Sequence, residues 1–353
     1  MASSMSPLLD KRYVVMSLVS QHPQVRRYAA QHVELDIPVR IAVFRAAGAG
    51  DPVDTAPFAT FWKLAGSAAR LRHPALARIR DCFQQGEYIA VVLDHVEGEP
   101  LRDRIARLQR LPLRETLAMG LQLCDLVTTI GDQAPMLLPL ASISPRTLCV
   151  QPAGQVTLTD PGIGHWLEGP VPAEDAEALP YVAPEILARQ PGTTGSDVYS
   201  IAAVMYHALA GEPPAPLGMG YTSLHALEPM IPSPLSDVIE RALQPDPVLR
   251  YTTADAFGVA LAEAMAWAMP GLVSRVLTTS NRLTSRAFAE MPVSDTRAQS
   301  RERGTSRALT AARILQWPHL LAVELSRGRV TEPLRKTGSR ALAAISSALR
   351  LGA

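Results

Sequence analysis

Hydrophobic periodicity changes near residue 97, and this change limits the folds that the chain can adopt. Before residue 97, three runs rich in β-branched and other apolar residues predict β-strands, Tyr13–Val19, Val39–Phe44 and Tyr88–Leu93. One segment between them, 58–71, has helical spacing. After residue 97, a glycine turn between 148–150 and 156–158 predicts one hairpin, and four segments have helical spacing, Leu113–Ile130, Asp197–Ala210, Leu235–Leu243 and Thr253–Met269. The sequence therefore predicts an α+β fold with a small β-rich lobe and a larger helical lobe.

The composition is that of a folded protein outside the membrane. Hydrophobic residues make up 47% and charged residues 19% of the 353 positions. No apolar run reaches the length of a membrane span, and the N-terminus lacks a secretory signal pattern. Cys82, Cys124 and Cys149 are too far apart in the chain for a metal knuckle or a disulfide framework. We therefore expect a cytoplasmic protein with reduced thiols and no metal site.

Charge is distributed unevenly along the chain. Residues 268–353 contain 14 Arg and Lys against 5 Asp and Glu, although the net charge of the whole chain is only +1. Such a segment is typical of a basic tail that contacts an acidic partner. We therefore divide the chain into an N-terminal extension (1–11), a β-rich lobe (12–96), a helical lobe (97–269) and an Arg-, Ser- and Thr-rich tail (270–353). We expect the tail to be partly helical or disordered.

Three motifs follow one another in the predicted helical lobe: Tyr-Val-Ala-Pro-Glu at 181–185, Ser-Asp at 196–197 and Pro-Asp-Pro-Val-Leu-Arg at 245–250. In this order they resemble motifs of bacterial-type serine/threonine protein kinases, and the resemblance covers residues 12–267. It implies the two-lobed kinase fold. It also implies a buried ion pair between Glu185 and Arg250 and an Asp197 that anchors backbone amides, because a buried carboxylate is costly without a partner.

The same resemblance locates the parts that phosphoryl transfer requires, and most of them are replaced. The segment 17–27, where the family has a glycine-rich loop over the phosphates, contains no glycine. Ala42 stands at the position of the strand lysine, and Leu64 stands at that of its helix glutamate. Because both partners of a buried ion pair are lost together, neither charge is left unpaired.

The catalytic loop is altered in the same way. Ser142 replaces the catalytic aspartate, and Thr147 replaces the magnesium-binding asparagine. A serine cannot serve as a carboxylate base, and a threonine is a poor substitute for the amide ligand. Asp160, followed by Pro161 and Gly162, is retained at the metal-binding position. It is either a residual metal ligand or, in the interpretation that we favour, a turn aspartate.

Arg40 precedes Ala42 by two residues on a predicted strand, so both side chains are expected on one face. We predict that Arg40 enters the adenine pocket, which is bordered in the family by the hinge, here Asp94 and Val96. A register shift of one residue would instead direct Arg40 to solvent.

Two further features concern phosphate and phosphorylation. Arg26, Arg27 and Lys63 could supply a displaced cation for phosphate, although solvated surface charge is the simpler interpretation. The segment Ile163–Val182 contains neither Ser nor Thr, so the usual phosphorylation switch of this loop has no acceptor there.

These replacements favour a catalytically inactive pseudokinase that acts as a regulatory or scaffolding module in phosphorylation signalling, without a cofactor. The alternatives are a serine/threonine kinase or kinase-fold transferase with weak or atypical activity, which would use ATP and magnesium, and a sensor that binds ATP without turnover. The expected partners are proteins, namely an active kinase or a phosphopeptide-binding protein. The tail could contact an acidic protein or an anionic membrane surface, or be phosphorylated by an active kinase, whereas specific nucleic-acid binding is not expected.

Overall fold

The computed structural model describes residues 8–21, 25–45, 56–162, 177–215 and 221–268. All of them belong to the first of two compact units, Met1–Glu290. The predicted tail (270–353) lies outside the described residues, as does most of the segment without Ser or Thr. Among the described helices, none is both long and apolar enough to span a membrane.

A six-stranded antiparallel sheet forms the N-terminal lobe. Its strand order is β1-β2-β3-β4-β6-β5. The strands are β1 (Leu8–Leu9), β2 (Tyr13–Gln21), β3 (Val25–His32), β4 (Ile37–Arg45), β5 (Ile79–Gln85) and β6 (Tyr88–Asp94). One helix, α1 (Ala56–Arg70), packs against the sheet.

Strand β4 contributes buried residues to a hydrophobic cluster on each face of the sheet. Val39, Ile41 and Val43 belong to a cluster on one face of the sheet. Ala42 and Phe44 belong to the main core on the other face, which also includes apolar side chains of α1. Because side chains alternate along a strand, Arg40 lies on the same face as Ala42.

Helices form the C-terminal lobe. They are α2 (Leu101–Leu108), α3 (Leu113–Gln133), α4 (Pro184–Leu187), α5 (Thr194–Ala210), α6 (Leu224–Leu227), α7 (Ser233–Ala242) and α8 (Ala254–Ala268). The central helix α5 is buried along almost its whole length, and it begins at a capping box formed by Thr193 and Ser196. It ends at Gly211, whose φ of 86° suits a residue without a side chain.

A small three-stranded sheet connects the two lobes. It contains β7 (Glu99–Pro100), β8 (Leu148–Val150) and β9 (Val156–Leu158), in that order. The backbone amide of Ala77 donates to the carbonyl of Leu158 at 2.9 Å, and the Leu158 amide donates to the carbonyl of Ala75 at 2.8 Å. These bonds attach the loop after α1 to β9.

Three strands of the N-terminal lobe were missed by the sequence pattern. Arg26 and Arg27 were expected in a loop but lie in β3. The buried residues of β3 are Val25, Tyr28 and Ala30, so two adjacent arginines interrupt the alternation that marks a half-buried strand. Strand β5 has only one fully buried residue, and β1 is two residues long, so neither produces a pattern.

Candidate functional site

The cleft between the lobes contains the positions at which the kinase resemblance places catalytic residues. Ala42 on β4 lies opposite Arg27 on β3 and Val91 on β6. Ala42 and Leu64 are both 7% exposed and belong to the same hydrophobic core. Apolar packing therefore occupies the place where the family has an ion pair.

Arg27 forms an ion pair with Asp160 across the cleft. The Arg27 guanidinium donates to Asp160 Oδ2, and the Gly162 amide donates to Asp160 Oδ1 at 3.0 Å. The side chains are 33% and 18% exposed, so the pair is only partly accessible to solvent. The expectation of a simple solvated charge is therefore wrong for Arg27, although Arg26 and Lys63 are exposed. The amide contact is that of a turn aspartate.

Hydroxyl groups of the catalytic loop bind the backbone. The Ser142 hydroxyl donates to the Asp160 carbonyl at 2.9 Å. The Thr147 hydroxyl lies within hydrogen-bond distance of the Ser142 and Ser144 carbonyls, and it accepts from the Ser144 amide at 3.1 Å. The Thr147 hydroxyl thus holds the loop together from within, and the Ser142 hydroxyl ties the loop to the backbone of Asp160.

Arg40 lies on the Ala42 face of β4, between Ala29 on β3 and Leu93 on β6. Its Nε is buried and has no hydrogen-bond partner. The pKa of the Cys149 thiol on β8 is raised by burial, and the positive charge of Arg40 acts against this rise. Arg40 is thus close enough to Cys149 for its positive charge to affect the thiol.

The hinge passes directly over β8. Val96 is buried, and the carboxylate of Asp94 is paired with Arg80. A Cβ atom built on Gly98 would lie 2.9 Å from Cys149 Sγ and 2.4 Å from the Val150 carbonyl oxygen. The hinge and the hairpin are therefore in direct contact beside Arg40.

Glu185 and Arg250 form a buried bidentate ion pair in the C-terminal lobe. Arg250 Nη1 and Nη2 each donate to a Glu185 carboxylate oxygen at 2.8 Å. Burial raises the pKa of Glu185, but the hydrogen bonds from Arg250 and from the Ser196 hydroxyl outweigh it and lower the pKa overall. The guanidinium also donates to three carbonyls, those of Gly195, Gln244 and Pro245. The pair thus joins three separate segments.

Asp197 anchors the loop before Ser142. Its carboxylate accepts from the Leu140 amide at 3.0 Å and from the Ala141 amide at 3.4 Å. Asp197 is completely buried, and this burial raises its pKa to about 7 against the effect of the two amides. The carboxylate therefore fixes the loop through backbone contacts.

The segment 177–183, which precedes α4, packs onto α5. The Tyr181 hydroxyl and His207 Nδ1 are 2.6 Å apart. Burial lowers the pKa of His207 to about 4, so the imidazole is neutral near pH 7. Arg146 of the catalytic loop lies 3.5 Å from the Glu177 carboxylate, which brings an acidic residue of this segment near the loop.

Metal-ligand clusters and cavities give no site at the cleft among the described residues. Within the described ranges, no cluster of three or more His, Cys, Asp or Glu residues could hold a metal ion. Two cavities of about 760 and 230 Å³ lie in the C-terminal lobe. The larger is lined by α2, α3 and the β8–β9 turn, and neither is lined by Arg27, Arg40, Ala42 or Asp160.

The β-rich lobe, the hinge, the hairpin and the pair of Glu185 with Arg250 define a protein with the two-lobed protein kinase fold. The chain belongs to the protein kinase domain family, which matches residues 65–260. The predicted α+β fold and the bacterial-type serine/threonine kinase resemblance are thereby confirmed.

Individual relatives give the extent of the similarity. Serine/threonine-protein kinase PknA of Mycobacterium tuberculosis is 27% identical over 279 residues, which are 74% of this chain and 63% of PknA. Serine/threonine-protein kinase PrkC of Bacillus subtilis is 25% identical over 261 residues, 70% of this chain and 39% of PrkC. The chain therefore spans less than two thirds of these relatives. The crystal structure of the M. tuberculosis PknI kinase domain has the same fold, with a TM-score of 0.59, 22% identity, and coverage of 74% of this chain and 100% of that domain.

Proposed function

We propose that the protein is a pseudokinase, a protein kinase family member that does not transfer phosphate and acts as a regulatory or scaffolding module in phosphorylation signalling. The observation that carries the proposal is the ion pair of Arg27 with Asp160. Asp160 is the one carboxylate kept at the family's catalytic positions, and Arg27 lies opposite the lost lysine. Each charge neutralises the other, so a metal must compete with Arg27 for Asp160, and a phosphate must compete with Asp160 for Arg27.

The residues of the cleft do not fit a magnesium nucleotide. The Thr147 hydroxyl is bound to the backbone of its own loop, and Ser142 has no carboxylate to accept a proton. Arg40 places a positive charge where the family accommodates the neutral adenine ring. We therefore derive no phosphoryl-transfer step from this site.

One observation favours a weak kinase as a second candidate. Directly opposed residues on antiparallel strands have Cβ atoms about 5 Å apart, so the Arg27 side chain starts close to the position of the missing lysine. If the partly exposed pair with Asp160 opens, Arg27 could contact a phosphate and Asp160 could bind a metal. ATP and magnesium would then be the cofactors.

The proposed partners are proteins of a phosphorylation pathway, namely an active kinase or a phosphopeptide-binding protein. This part of the proposal is supported by family membership and by the net positive charge of residues 268–353. A basic segment favours an acidic protein or an anionic membrane surface, and phosphorylation of the segment would weaken either contact.

A phosphoryl-transfer assay tests the proposal. The full chain is incubated with γ-labelled ATP, magnesium or manganese, and general protein substrates. We expect no transfer to the chain or to the substrates. An Asp160→Ala variant is the control, because labelling by a contaminating kinase persists in this variant. Transfer that disappears in Asp160→Ala would establish the weak kinase and contradict the pseudokinase.

A further inference from the structure

Arg40 is the one described residue with a buried side-chain nitrogen or oxygen that has no hydrogen-bond partner. No ion pair joins its guanidinium to another described residue. Other arginines of the region differ, since Arg27 pairs with Asp160 and Arg80 pairs with Asp94. Buried polar atoms in native proteins almost always have partners, so the Arg40 Nε requires an explanation.

The position of Arg40 shows where a partner would bind. The residue lies between Ala29 and Leu93 on the cleft face of the sheet. Ala29, which lies directly opposite on β3, has only a methyl side chain and so offers no acceptor to the guanidinium. Opposite the sheet are Cys149 and the glycine of the hinge. The free N–H groups therefore belong to the cleft between the lobes.

Charge in this part of the cleft identifies the partner. Arg27 is on the same face as Arg40, one step along the ladder, but Asp160 already neutralises it. One positive charge remains. A carboxylate has one negative charge and two oxygens that match the fork of a guanidinium. A doubly charged phosphate would leave an excess negative charge near Asp160.

We propose that Arg40 makes the interlobe cleft a binding site for a single carboxylate, provided either by a free organic acid or by an Asp or Glu side chain of a partner protein. The inference rests on the proposed function, because it assigns to the cleft a ligand other than a nucleotide. The carboxylate accepts from the Arg40 guanidinium and satisfies the buried Nε. The proposed scaffold would thus bind an acidic ligand in the interlobe cleft, where the family binds its nucleotide.

Thermal melting of the full chain tests the site. Sodium benzoate is the probe for a free acid, a hexaglutamate peptide is the probe for a protein side chain, and sodium chloride at matched ionic strength is the reference. The variants are Arg40→Gln and, as a matched control, Arg26→Gln, which removes an exposed arginine of the same sheet. We expect a concentration-dependent rise in Tm for at least one probe. We expect Arg40→Gln to weaken binding at least about tenfold and Arg26→Gln to leave it within about twofold.

Each outcome has a definite meaning. Stabilisation by the peptide alone assigns the site to a partner protein, and stabilisation by benzoate assigns it to a free acid. No stabilisation of the wild type by either probe, or equal stabilisation of Arg40→Gln, overturns the inference. A further variant, Arg40→Met, provides a second measurement without any probe, because removal of an unpaired, partly buried charge should raise its Tm. A loss of Tm in Arg40→Met would show that Arg40 has a partner within the chain. A separate arm with ATP and magnesium tests the proposed function independently. A rise in Tm with ATP would contradict a cleft that does not fit a magnesium nucleotide, whatever the result with benzoate or the peptide.

Discussion

Separating Glu185 from Arg250 should destabilise the domain, and the two single variants should differ in magnitude. The side chains are 5% and 0% exposed, respectively, so removal of either leaves a buried charge. Breaking a buried pair in this way costs about 3 to 5 kcal/mol. In Glu185→Ala, Arg250 keeps its bonds to three carbonyls, which places the loss near 3 kcal/mol. In Arg250→Met, the three carbonyls lose the guanidinium and Glu185 keeps only the Ser196 hydroxyl as a donor, which places the loss near 5 kcal/mol.

The assay is thermal and urea unfolding of the full chain. For a domain of this size, each 1 kcal/mol lowers Tm by about 2 to 4 °C, so we expect about 6 to 12 °C for Glu185→Ala and about 10 to 20 °C for Arg250→Met. The double variant Glu185→Leu/Arg250→Met should be more stable than Arg250→Met alone, because it leaves no buried charge unpaired. Arg102→Met is the control, since its pair with Asp103 is 56% and 50% exposed and should hardly affect Tm.

Two results would refute this reasoning. A loss below about 1 kcal/mol in both single variants would show that the pair is not buried in solution. Additive losses in the double variant would show that the two side chains do not interact, because additivity is expected only of independent sites.

Three other predictions concern pH, backbone and cleft. Burial lowers the pKa of the half-buried His207 to about 4. Below the usual histidine pKa of about 6.5, the unfolded chain takes up a proton at His207 while the folded chain does not. The folded state is therefore at its full stability above about pH 6.5 and loses stability as the pH falls toward 4. Because His207 is partly exposed to solvent, we expect this loss to be about 2 kcal/mol. The loss should be missing when the free energy of unfolding of His207→Gln is measured against pH, and parallel curves for wild type and variant would contradict the prediction. Gly162→Ala should destabilise more than Gly154→Ala in urea unfolding, because both have positive φ but only the Gly162 Cβ would lie 2.1 Å from the Leu140 carbonyl oxygen. A double-mutant cycle of unfolding free energies for Arg27→Gln and Asp160→Asn should give a coupling of about 1 kcal/mol, as expected for a partly exposed pair. A coupling near zero would show that the two side chains do not interact.

The fold could be predicted from the sequence wherever periodicity was regular. Strands β2, β4 and β6 and helices α1, α3, α5, α7 and α8 lie where apolar spacing placed them, within one to three residues at most ends. Strand β3 was missed because Arg26 and Arg27 are adjacent, which hides the buried positions at 25, 28 and 30. Strand β5 was missed because only one of its seven residues is buried, so its sequence has no alternating apolar pattern. Local patterns thus fail where a strand carries little of the core.

The site could be predicted only in part, for a similar reason. Motif order located Glu185, Asp197 and Arg250, since each stands in a recognisable sequence. The pair of Arg27 with Asp160 joins residues 133 positions apart, and it depends on the register of a strand that was not predicted. The unpartnered Arg40 Nε is a property of packing, and no sequence pattern reveals it. A strand assignment for 25–32 would have placed Arg27 opposite Ala42.

The most direct test of the central claim is an equilibrium titration of the full chain with ATP in the presence of magnesium, followed by calorimetry, beside the Asp160→Ala variant. We expect no saturable heat up to millimolar ATP, because the cation and the carboxylate that a nucleotide complex would require are paired with each other. Saturable binding with one site per chain that is lost in Asp160→Ala would contradict it, since Asp160 would then hold a metal and Arg27 would not prevent this.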